Sequence, residues 1–265
     1  MNIKLINQIT KPKENFIFDR GRLFGDGFFT TGLIDSGELR HQVEHFERLK
    51  LSAEKLGFSD LDFDEIAKFL KKAIRKVAKA VIRISVTRGQ TQRGYAIGAD
   101  QSSNIEIIIS PWIDKPSIFC EVFVANTPVS INAYLAGLKH LNRLDSVLAA
   151  SECKQSNQEA LLTFDNRVIC GSRSNLFIFQ DGCWKTPRLN DAGVSGITRK
   201  RILALMAEKQ IPCEVEKISL EQLESCQSAF ITNCLVGIWP VAKINDKAIA
   251  TKLSCDLQAD LNFIR

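Results

Sequence analysis

No apolar run in this sequence is long enough to span a membrane, and the first 15 residues lack the apolar stretch of a signal peptide. Charged residues make up 25% of the 265 residues and the apolar share is ordinary, which argues against disordered and collagen-like chains. We therefore expect a soluble globular protein without a membrane partner, located in the cytoplasm. A chain of this length suits two domains and can bury a sizeable core.

Cysteine pairs with the C-x-x-C spacing of zinc sites are also missing, and no disulfide framework is indicated. We therefore expect no metal site. The eight cysteines are predicted to be reduced and mostly buried; they are Cys120, Cys153, Cys170, Cys183, Cys213, Cys226, Cys234 and Cys255.

The positive charge is not concentrated in one place. The formal net charge of +5 is spread along the chain, and its longest basic cluster is Arg199-Lys200-Arg201. Nucleic-acid-binding proteins usually cluster their charge and interleave it with aromatic residues, so we expect no nucleic-acid partner and favour a small anionic ligand. No Gly-x-Gly-x-x-Gly or Walker motif precedes a predicted helix, which excludes dinucleotide-binding and P-loop proteins.

Apolar periodicity predicts mixed strands and helices in the first half. A strand is expected over 2–6, a turn at Gly37, a helix over 41–56 that stops at Gly57, and a second helix from Phe63 to Lys79. The apolar positions of the first helix are Val43, Phe46, Leu49, Ala53 and Leu56. Two strands near 82–86 and 105–109 flank a polar loop over 87–104, and loops of that length are often functional.

A proline-bounded linker at 111–116 predicts a domain boundary, with domains over 1–113 and 117–265. The second half opens with a strand over 118–124 and a helix whose apolar stripe is Leu141, Leu144 and Leu148. Further strands are predicted at 160–164, 168–169, 175–179, 229–231 and 241–244, with turns at Asp165-Asn166 and Asp181-Gly182, a helix over 197–209 and a short last helix. This mixed order favours an α+β fold over a doubly wound parallel sheet.

Five stretches of the chain together resemble one enzyme family. They are GDGFFTT (25–31), HFERL (45–49), LAGLKHLNRL (135–144), GSRSNLF (171–177) and VSGITR (194–199). The combination is similar to the fold-type IV pyridoxal-phosphate enzymes, which include branched-chain aminotransferases, D-amino-acid aminotransferases and 4-amino-4-deoxychorismate lyases. The resemblance implies a small N-terminal α/β domain, a larger C-terminal β-barrel-like domain with helices, a site between the domains, pyridoxal 5'-phosphate as cofactor, and a homodimer.

The resemblance also assigns cofactor-binding residues. Lys139 matches the lysine that bonds covalently to the cofactor aldehyde, and Arg48 matches a phosphate ligand whose guanidinium can bind two oxygens. Exposed N–H groups at a helix N-terminus suit a phosphate as well, and the matching positions are Ser195, Gly196, Ile197 and Thr198. Asn233 and Cys234 match a second phosphate-side loop, with Thr232 as an alternative.

Each of these residues alone has an ordinary structural explanation. Lys139 could be a surface lysine before a helix, Arg48 a solvated helix arginine, and Ser195 and Gly196 a common helix cap. Only the five stretches in combination favour the cofactor site over those explanations.

Subfamilies differ in the GDGFFTT stretch. Aminotransferases tend to read G-D-G-x-Y-E, whereas the lyases tend to read G-D-G-x-F-T-T, and this chain has Phe29, Thr30 and Thr31. Phe29 is therefore a substrate-side candidate, and the two threonines are candidates for assisting catalysis by hydrogen bonding. The loop residues Arg88, Arg93 and Tyr95 also resemble the lyases, and the two arginines are either substrate-carboxylate ligands or solvated loop residues.

One position departs from the family pattern. The family usually reads E-G-S-x-S-N-L-F, with the glutamate paired to the cofactor's pyridine nitrogen, and here Cys170 replaces that glutamate. A thiol cannot anchor a protonated ring nitrogen as a carboxylate does, so carbanion-stabilising steps should weaken. We expect this change to disfavour transamination more than the lyase reaction, because loss of pyruvate aromatises the lyase substrate.

The predicted function is 4-amino-4-deoxychorismate lyase, which gives 4-aminobenzoate and pyruvate on the route to folate, with Lys139 as general base and acid. The alternatives are a D-amino-acid or branched-chain aminotransferase of the same fold, a cofactor-binding protein impaired by Cys170, and an α+β protein without cofactor.

Overall fold

The computed structural model describes residues 2–6, 18–90, 94–98, 102–114 and 117–261. The chain forms two compact units. The first comprises Met1–Ile113 with Leu138–Asn142, and the second comprises Asp114–Gly137 with Arg143–Arg265.

A five-stranded mixed sheet forms the first unit, in the order β1-β5-β4-β2-β3. β1 pairs in parallel with β5, and the other pairs are antiparallel. The described elements are β1 (Asn2–Ile6), α1 (Arg20–Phe24), β2 (Gly27–Asp35), β3 (Glu38–Leu39), α2 (Gln42–Lys55), α3 (Phe63–Ile74), β4 (Lys79–Thr87) and β5 (Asn104–Pro111). Alternate residues of the strands, such as Phe28, Ile82 and Ile84, share one buried core with Leu49 of α2 and Leu70 of α3.

The predicted strands and the turn at Gly37 are confirmed, but the helices differ in two details. α3 ends at Ile74, five residues before the predicted end, because the apolar spacing changes there from helical to alternating and Lys79 already begins β4. Val43 was predicted to lie on the buried face of α2, yet it is 69% exposed. The buried face consists of His45, Leu49, Ser52 and Ala53.

A ten-stranded mixed sheet forms the second unit, in the order β11-β10-β9-β13-β14-β6-β7-β8-β12, with β15 paired to β14. β10 also contacts β8 and β12, so the ends of this sheet approach each other. The elements are β6 (Cys120–Val124), α4 (Leu144–Ser151), β7 (Gln158–Phe164), β8 (Arg167–Gly171), β9 (Asn175–Gln180), β10 (Cys183–Pro187), α5 (Ile197–Glu208), β11 (Cys213–Glu216), β12 (Ile218–Ser219), α6 (Leu220–Ser225), β13 (Ser228–Asn233), β14 (Gly237–Ile244), β15 (Lys247–Ala248) and α7 (Lys252–Asp260).

The turns predicted at Asp165-Asn166 and Asp181-Gly182 are confirmed, and all four residues have the positive φ that two-residue hairpins favour. The apolar stripe predicted for α4 is wrong. Leu144 is 69% and Leu148 is 48% exposed, and Leu141 lies outside the helix.

The cysteines are free, but fewer are buried than predicted. Cys120, Cys170 and Cys226 are buried and the other five are partly exposed. No helix in the described part of the chain is long and apolar enough to cross a membrane. The mixed strand and helix order confirms the α+β prediction.

Candidate active site

The GDG triplet at 25–27 shapes the start of β2. Gly25 ends α1 in the left-handed conformation, with φ of 66°, which glycine adopts without strain. The carboxylate of Asp26 accepts hydrogen bonds from Arg20 Nε at 2.7 Å and Arg88 Nε at 2.9 Å. A side chain on Gly27 would overlap with the carbonyl oxygen of Val86 and the side chain of Leu141. The two glycines therefore leave room where another segment approaches β2.

That segment is Leu138–Asn142, which belongs to the first unit. The backbone N–H of Phe29 donates to the Lys139 carbonyl oxygen at 2.9 Å, and the N–H of Leu141 donates to the Gly27 carbonyl oxygen at 3.0 Å. Asn142 Nδ2 donates to the carbonyl oxygen of Gly25 at 3.2 Å. The lysine is thus held on a short antiparallel extension of the sheet.

The Lys139 amine lies over an aromatic ring. Its Nζ is 4.6 Å from the centroid of the Phe29 ring, and Arg83 Cζ is 3.8 Å from the same centroid. Phe29 is only 7% exposed, whereas Lys139 is partly exposed. A cation against a largely buried ring is stabilised by the π-face.

The two threonines predicted to assist catalysis lie on opposite faces of β2 because strand side chains alternate. Thr30 is 1% exposed and its Oγ1 lies 2.6 Å from Nδ1 of His45 on α2. Thr31 is partly exposed and pairs in register with Arg83, on the face that carries Phe29. Thr31, and not Thr30, therefore lies on the same side of the sheet as the Phe29 ring.

His45 is a buried residue that the sequence did not single out. Burial lowers its pKa to about 3, and the positive charges of Arg48, His41 and Lys139 act in the same direction. The imidazole is therefore neutral at physiological pH. Its Nε2 is buried and has no hydrogen-bond partner in the described part of the chain. Arg48 is partly exposed on α2, one turn from His45.

The loop arginine Arg88 is a structural brace in this unit. It is 2% exposed, and besides Asp26 its guanidinium binds the carbonyl oxygens of Gly57 at 2.9 Å and Leu56 at 2.6 Å. Tyr95 is 82% exposed, and its carbonyl oxygen accepts from Arg20 at 2.7 Å. The predicted substrate ligand Arg93 lies outside the described residues.

In the second unit, the N-terminus of α5 has no side-chain cap. The N–H of Ser195 donates to the Gly137 carbonyl oxygen at 3.0 Å, and Thr198 Oγ1 lies 3.6 Å from the Cys234 thiol. Gly196 is the N-cap, and a side chain there would overlap with Asn175 Oδ1. Asn175 also donates to the Val194 carbonyl oxygen at 2.9 Å. Asn175 thus positions the predicted phosphate turn, although it was not among the predicted site residues.

The residues predicted near the β13 to β14 turn differ in whether their side chains are already used within the turn. Asn233 Oδ1 accepts from the N–H groups of Leu235 at 2.9 Å and Val236 at 3.0 Å, so it closes its own turn. Thr232 is 1% exposed, and its Oγ1 is buried without a hydrogen-bond partner in the described part of the chain. Of these residues, Thr232 is the one with a hydroxyl to offer a ligand.

Cys170 lies in β8 and is 7% exposed. Arg143 is close enough to interact with it electrostatically. Burial lowers the pKa of Arg143, and Asp145 and Cys170 oppose that shift. The Cys170 thiol and the Arg143 guanidinium therefore lie near each other.

A buried carboxylate organises the turn that follows β8. Glu159 is 0% exposed and accepts from the Arg173 N–H at 2.9 Å and from Ser174 Oγ at 2.8 Å. Its other oxygen pairs with Arg173 Nε at 2.8 Å. The sequence offered no signal for this role, because a single glutamate at the start of a strand looks like a surface residue.

The family model described as amino-transferase class IV matches residues 27–244. The D-alanine aminotransferase of Staphylococcus epidermidis is 30% identical over 237 residues, which cover 87% of this chain and 84% of that protein. The aminodeoxychorismate lyase of Vibrio harveyi is 28% identical over 256 residues, which cover 92% of this chain and 94% of that protein.

A solved structure, the 4-amino-4-deoxychorismate lyase of Pseudomonas aeruginosa, is 30% identical and covers 95% of this chain and 96% of its own, with a TM-score of 0.87. The predicted fold-type IV architecture is thereby confirmed, and the chain belongs to the class IV aminotransferase family of pyridoxal-phosphate-dependent enzymes.

Proposed function

We propose that the protein is a 4-amino-4-deoxychorismate lyase, which converts its substrate to 4-aminobenzoate and pyruvate. The observation that carries the proposal is the ring of Phe29 beside the Lys139 amine. The aminotransferase pattern would place a phenol hydroxyl at this position and a carboxylate at the next. Here the next residue is Thr30, whose hydroxyl is engaged by His45. The relatives from Vibrio harveyi and Pseudomonas aeruginosa support the same activity.

The groups that each unit offers fit pyridoxal phosphate. In the first unit, Lys139 supplies a partly exposed primary amine for the aldehyde, and Arg48 supplies a guanidinium for the phosphate. In the second unit, the uncapped N-terminus of α5 supplies the N–H groups of Ile197 and Thr198, and Thr232 adds an orphaned buried hydroxyl. The cofactor, when bound, supplies an electron sink for the carbanion that forms on the substrate.

The chain's own residues then move the proton. Lys139 is proposed to remove the proton from the amine-bearing ring carbon of the substrate and to return a proton to the departing enolpyruvyl group. The Phe29 ring covers one side of the amine, with Nζ 4.6 Å from the ring centroid. Thr31, on the same face of β2, is the threonine proposed to assist by hydrogen bonding. We further propose a homodimer in the cytoplasm.

The test is pyruvate release from 4-amino-4-deoxychorismate by the purified, cofactor-loaded protein. Lys139→Ala should reduce the rate at least about a hundredfold and abolish the absorbance of the lysine-bound cofactor. Lys79→Ala is the matched control, because Lys79 Nζ also lies over an aromatic ring, that of Trp112 at 4.7 Å. Wild-type protein that binds cofactor but releases no pyruvate above background would refute the proposal.

A second candidate is amino transfer, which the 30% identity to a D-alanine aminotransferase favours. The same preparation should be incubated with D-alanine or a branched-chain amino acid and 2-oxoglutarate as acceptor. Glutamate formation without pyruvate release from aminodeoxychorismate would establish the aminotransferase instead.

A further inference from the structure

Glu159 in β7 is a buried negative charge. Its side chain is 0% exposed, whereas its ion-pair partner Arg173 keeps 57% of its side chain exposed. Burial of a carboxylate is unfavourable unless its hydrogen-bonding capacity is filled, and apolar side chains can often replace such an ion pair without loss of stability. The segments that Glu159 contacts are therefore a better guide to its role than its contribution to stability.

Glu159 binds three consecutive residues of the turn between β8 and β9, which we call the 171–174 turn. Oε1 accepts from the Arg173 N–H at 2.9 Å, from Ser174 Oγ at 2.8 Å and from Ser172 Oγ at 3.4 Å. Oε2 accepts from Arg173 Nε at 2.8 Å. A side chain on Gly171 would overlap with Oε1 and with Ser174 Oγ, so glycine at this position lets the carboxylate reach the turn. The carboxylate thus fixes both the backbone and the side chains of the turn.

The 171–174 turn lies between two residues of the candidate cofactor site. Cys170 precedes it in β8, and Asn175 follows it in β9. Asn175 Nδ2 donates to the Val194 carbonyl oxygen at 2.9 Å, and its Oδ1 fills the space that a side chain on Gly196 would need. A shift of the turn would therefore displace Cys170 at one end and the start of α5 at the other.

The same turn also holds a third predicted cofactor stretch, at the end of β13. Asn233 Nδ2 donates to the Arg173 carbonyl oxygen at 3.3 Å, and Thr232 pairs in register with Asn175. Thr232 Oγ1 is the buried hydroxyl that lacks a hydrogen-bond partner among the described residues. One carboxylate thus connects Cys170, the start of α5 and Thr232, all of which belong to the second unit.

We propose that Glu159 is a positioning residue for pyridoxal phosphate. Its two oxygens are occupied by the 171–174 turn, so it acts on the cofactor through Cys170, Asn175 and Thr232. Hydrogen bonds to an ionised acceptor are shorter and stronger than those to a neutral one, so a carboxylate fixes the turn more firmly than an amide would. The inference rests on the proposed cofactor-binding residues, and it holds for a lyase and for an aminotransferase alike.

The test compares Glu159→Gln with the wild type. The substitution keeps the size of the side chain but replaces one oxygen by an amino group that cannot accept hydrogen bonds from the turn. Equilibrium dialysis of the cofactor-loaded, full-length protein against a series of pyridoxal 5'-phosphate concentrations gives the dissociation constant of the cofactor. We expect that constant to rise roughly tenfold to a hundredfold, the effect of losing hydrogen bonds to a charged group. The phosphorus NMR resonance of the bound phosphate should shift or broaden, because the start of α5 is held less firmly.

Glu152→Gln is the matched control. Glu152 belongs to the same unit and its carboxylate also organises a turn, since it accepts from the N–H groups of Asn126 at 2.8 Å and Thr127 at 3.0 Å. None of the candidate cofactor residues borders that turn. The dissociation constant and the phosphate resonance of this variant should match those of the wild type.

A Glu159→Gln protein with a lower melting temperature but with the wild-type dissociation constant and phosphate resonance has lost only stability, and that result overturns the inference. Should Glu159→Gln fail to fold, Ser174→Ala removes one hydrogen bond to Oε1 and should raise the dissociation constant about tenfold. An unchanged constant in Ser174→Ala overturns the inference as well.

Failure of the proposed function gives different results. Wild-type protein that does not bind the cofactor refutes the proposed cofactor site together with the inference. Pyruvate release from aminodeoxychorismate is measured separately, and its absence from protein that binds the cofactor rejects the lyase function alone.

Discussion

A neutral histidine buried among cations makes the stability of the first unit depend on pH. The pKa of His45 falls from 6.5 in an unfolded chain to about 3 in the fold, because burial and the charges of Arg48 and His41 disfavour its protonation. Below pH 6.5 the unfolded chain takes up a proton that the folded chain does not. The stability contributed by His45 is therefore complete above pH 6.5 and is lost as the pH falls toward 3.

Because of His45, we expect the free energy of unfolding to fall by about 1.4 kcal/mol for each unit by which the pH is lowered in the acid range. Urea denaturation between about pH 7 and about pH 4 measures the slope of the unfolding free energy against pH. That slope gives the number of protons taken up on unfolding, which His45→Gln should reduce by one. Thr30→Val is the matched control. It removes the hydroxyl next to Nδ1 but keeps the imidazole, so it should lower stability at every pH and leave the slope unchanged.

A second prediction concerns Cys170, proposed to lie at the cofactor's pyridine nitrogen. Cys170→Glu supplies a carboxylate beside the Arg143 guanidinium, which already interacts with residue 170. Amino transfer to 2-oxoglutarate should then rise at least about tenfold relative to pyruvate release, since a carboxylate strengthens the electron sink. Cys170→Ala should show no rise. Unchanged ratios in Cys170→Glu would contradict the explanation of the substitution.

At this scale, sequence predicted residues whose role is local and missed those that depend on distant partners. The start of α5 at Ile197 was predicted correctly because a helix N-terminus is recognisable along the chain. The bracing role of Arg88 depends on Asp26 and on carbonyls near residue 57, which only folding brings together.

Among the elements, β2 depends on the glycine at its first position. Gly27→Ala should cost about 1 to 3 kcal/mol of unfolding free energy, because the added methyl group meets the Val86 carbonyl and the Leu141 side chain. It should also weaken cofactor binding, since Leu141 pairs with Gly27 beside Lys139.

Thermal melting and cofactor absorbance measure both effects. Gly98→Ala is the control, because a side chain there meets nothing within 4 Å, and its effect should stay within about 0.5 kcal/mol. Equal melting temperatures for the two variants would contradict the proposed packing.

Strand and helix periodicity predicted most elements, and its failures have identifiable causes. The sequence predicts Leu141 on the apolar stripe of the helix because it continues the spacing of Leu144 and Leu148. Backbone pairing with β2 prevails there, and α4 begins only at Leu144. Strands of two residues, such as β12 and β15, are too short to show any alternation.

At the scale of the whole molecule, the exposed apolar face of α4 is a candidate surface for the proposed homodimer. Leu144, Val147 and Leu148 are 69%, 60% and 48% exposed, and their spacing places them on one side of the helix. We expect the wild type to be a dimer by light scattering and Leu148→Asp to shift it toward monomer. Leu51→Asp, at a leucine of α2 that is 53% exposed, should leave the mass unchanged. A Leu148→Asp protein with wild-type mass would exclude α4 from the interface.

The chain path through Leu138–Asn142 restricts how this protein can be divided. This stretch belongs to the first unit, although the chain on either side of it belongs to the second. A fragment cut after Ile113 would leave the N–H of Phe29 and the carbonyl of Gly27 without their partners, and it would lack Lys139 altogether. The two units therefore cannot be exchanged between proteins as two continuous segments. Lys139 belongs to the first unit, although the chain before and after its segment belongs to the second.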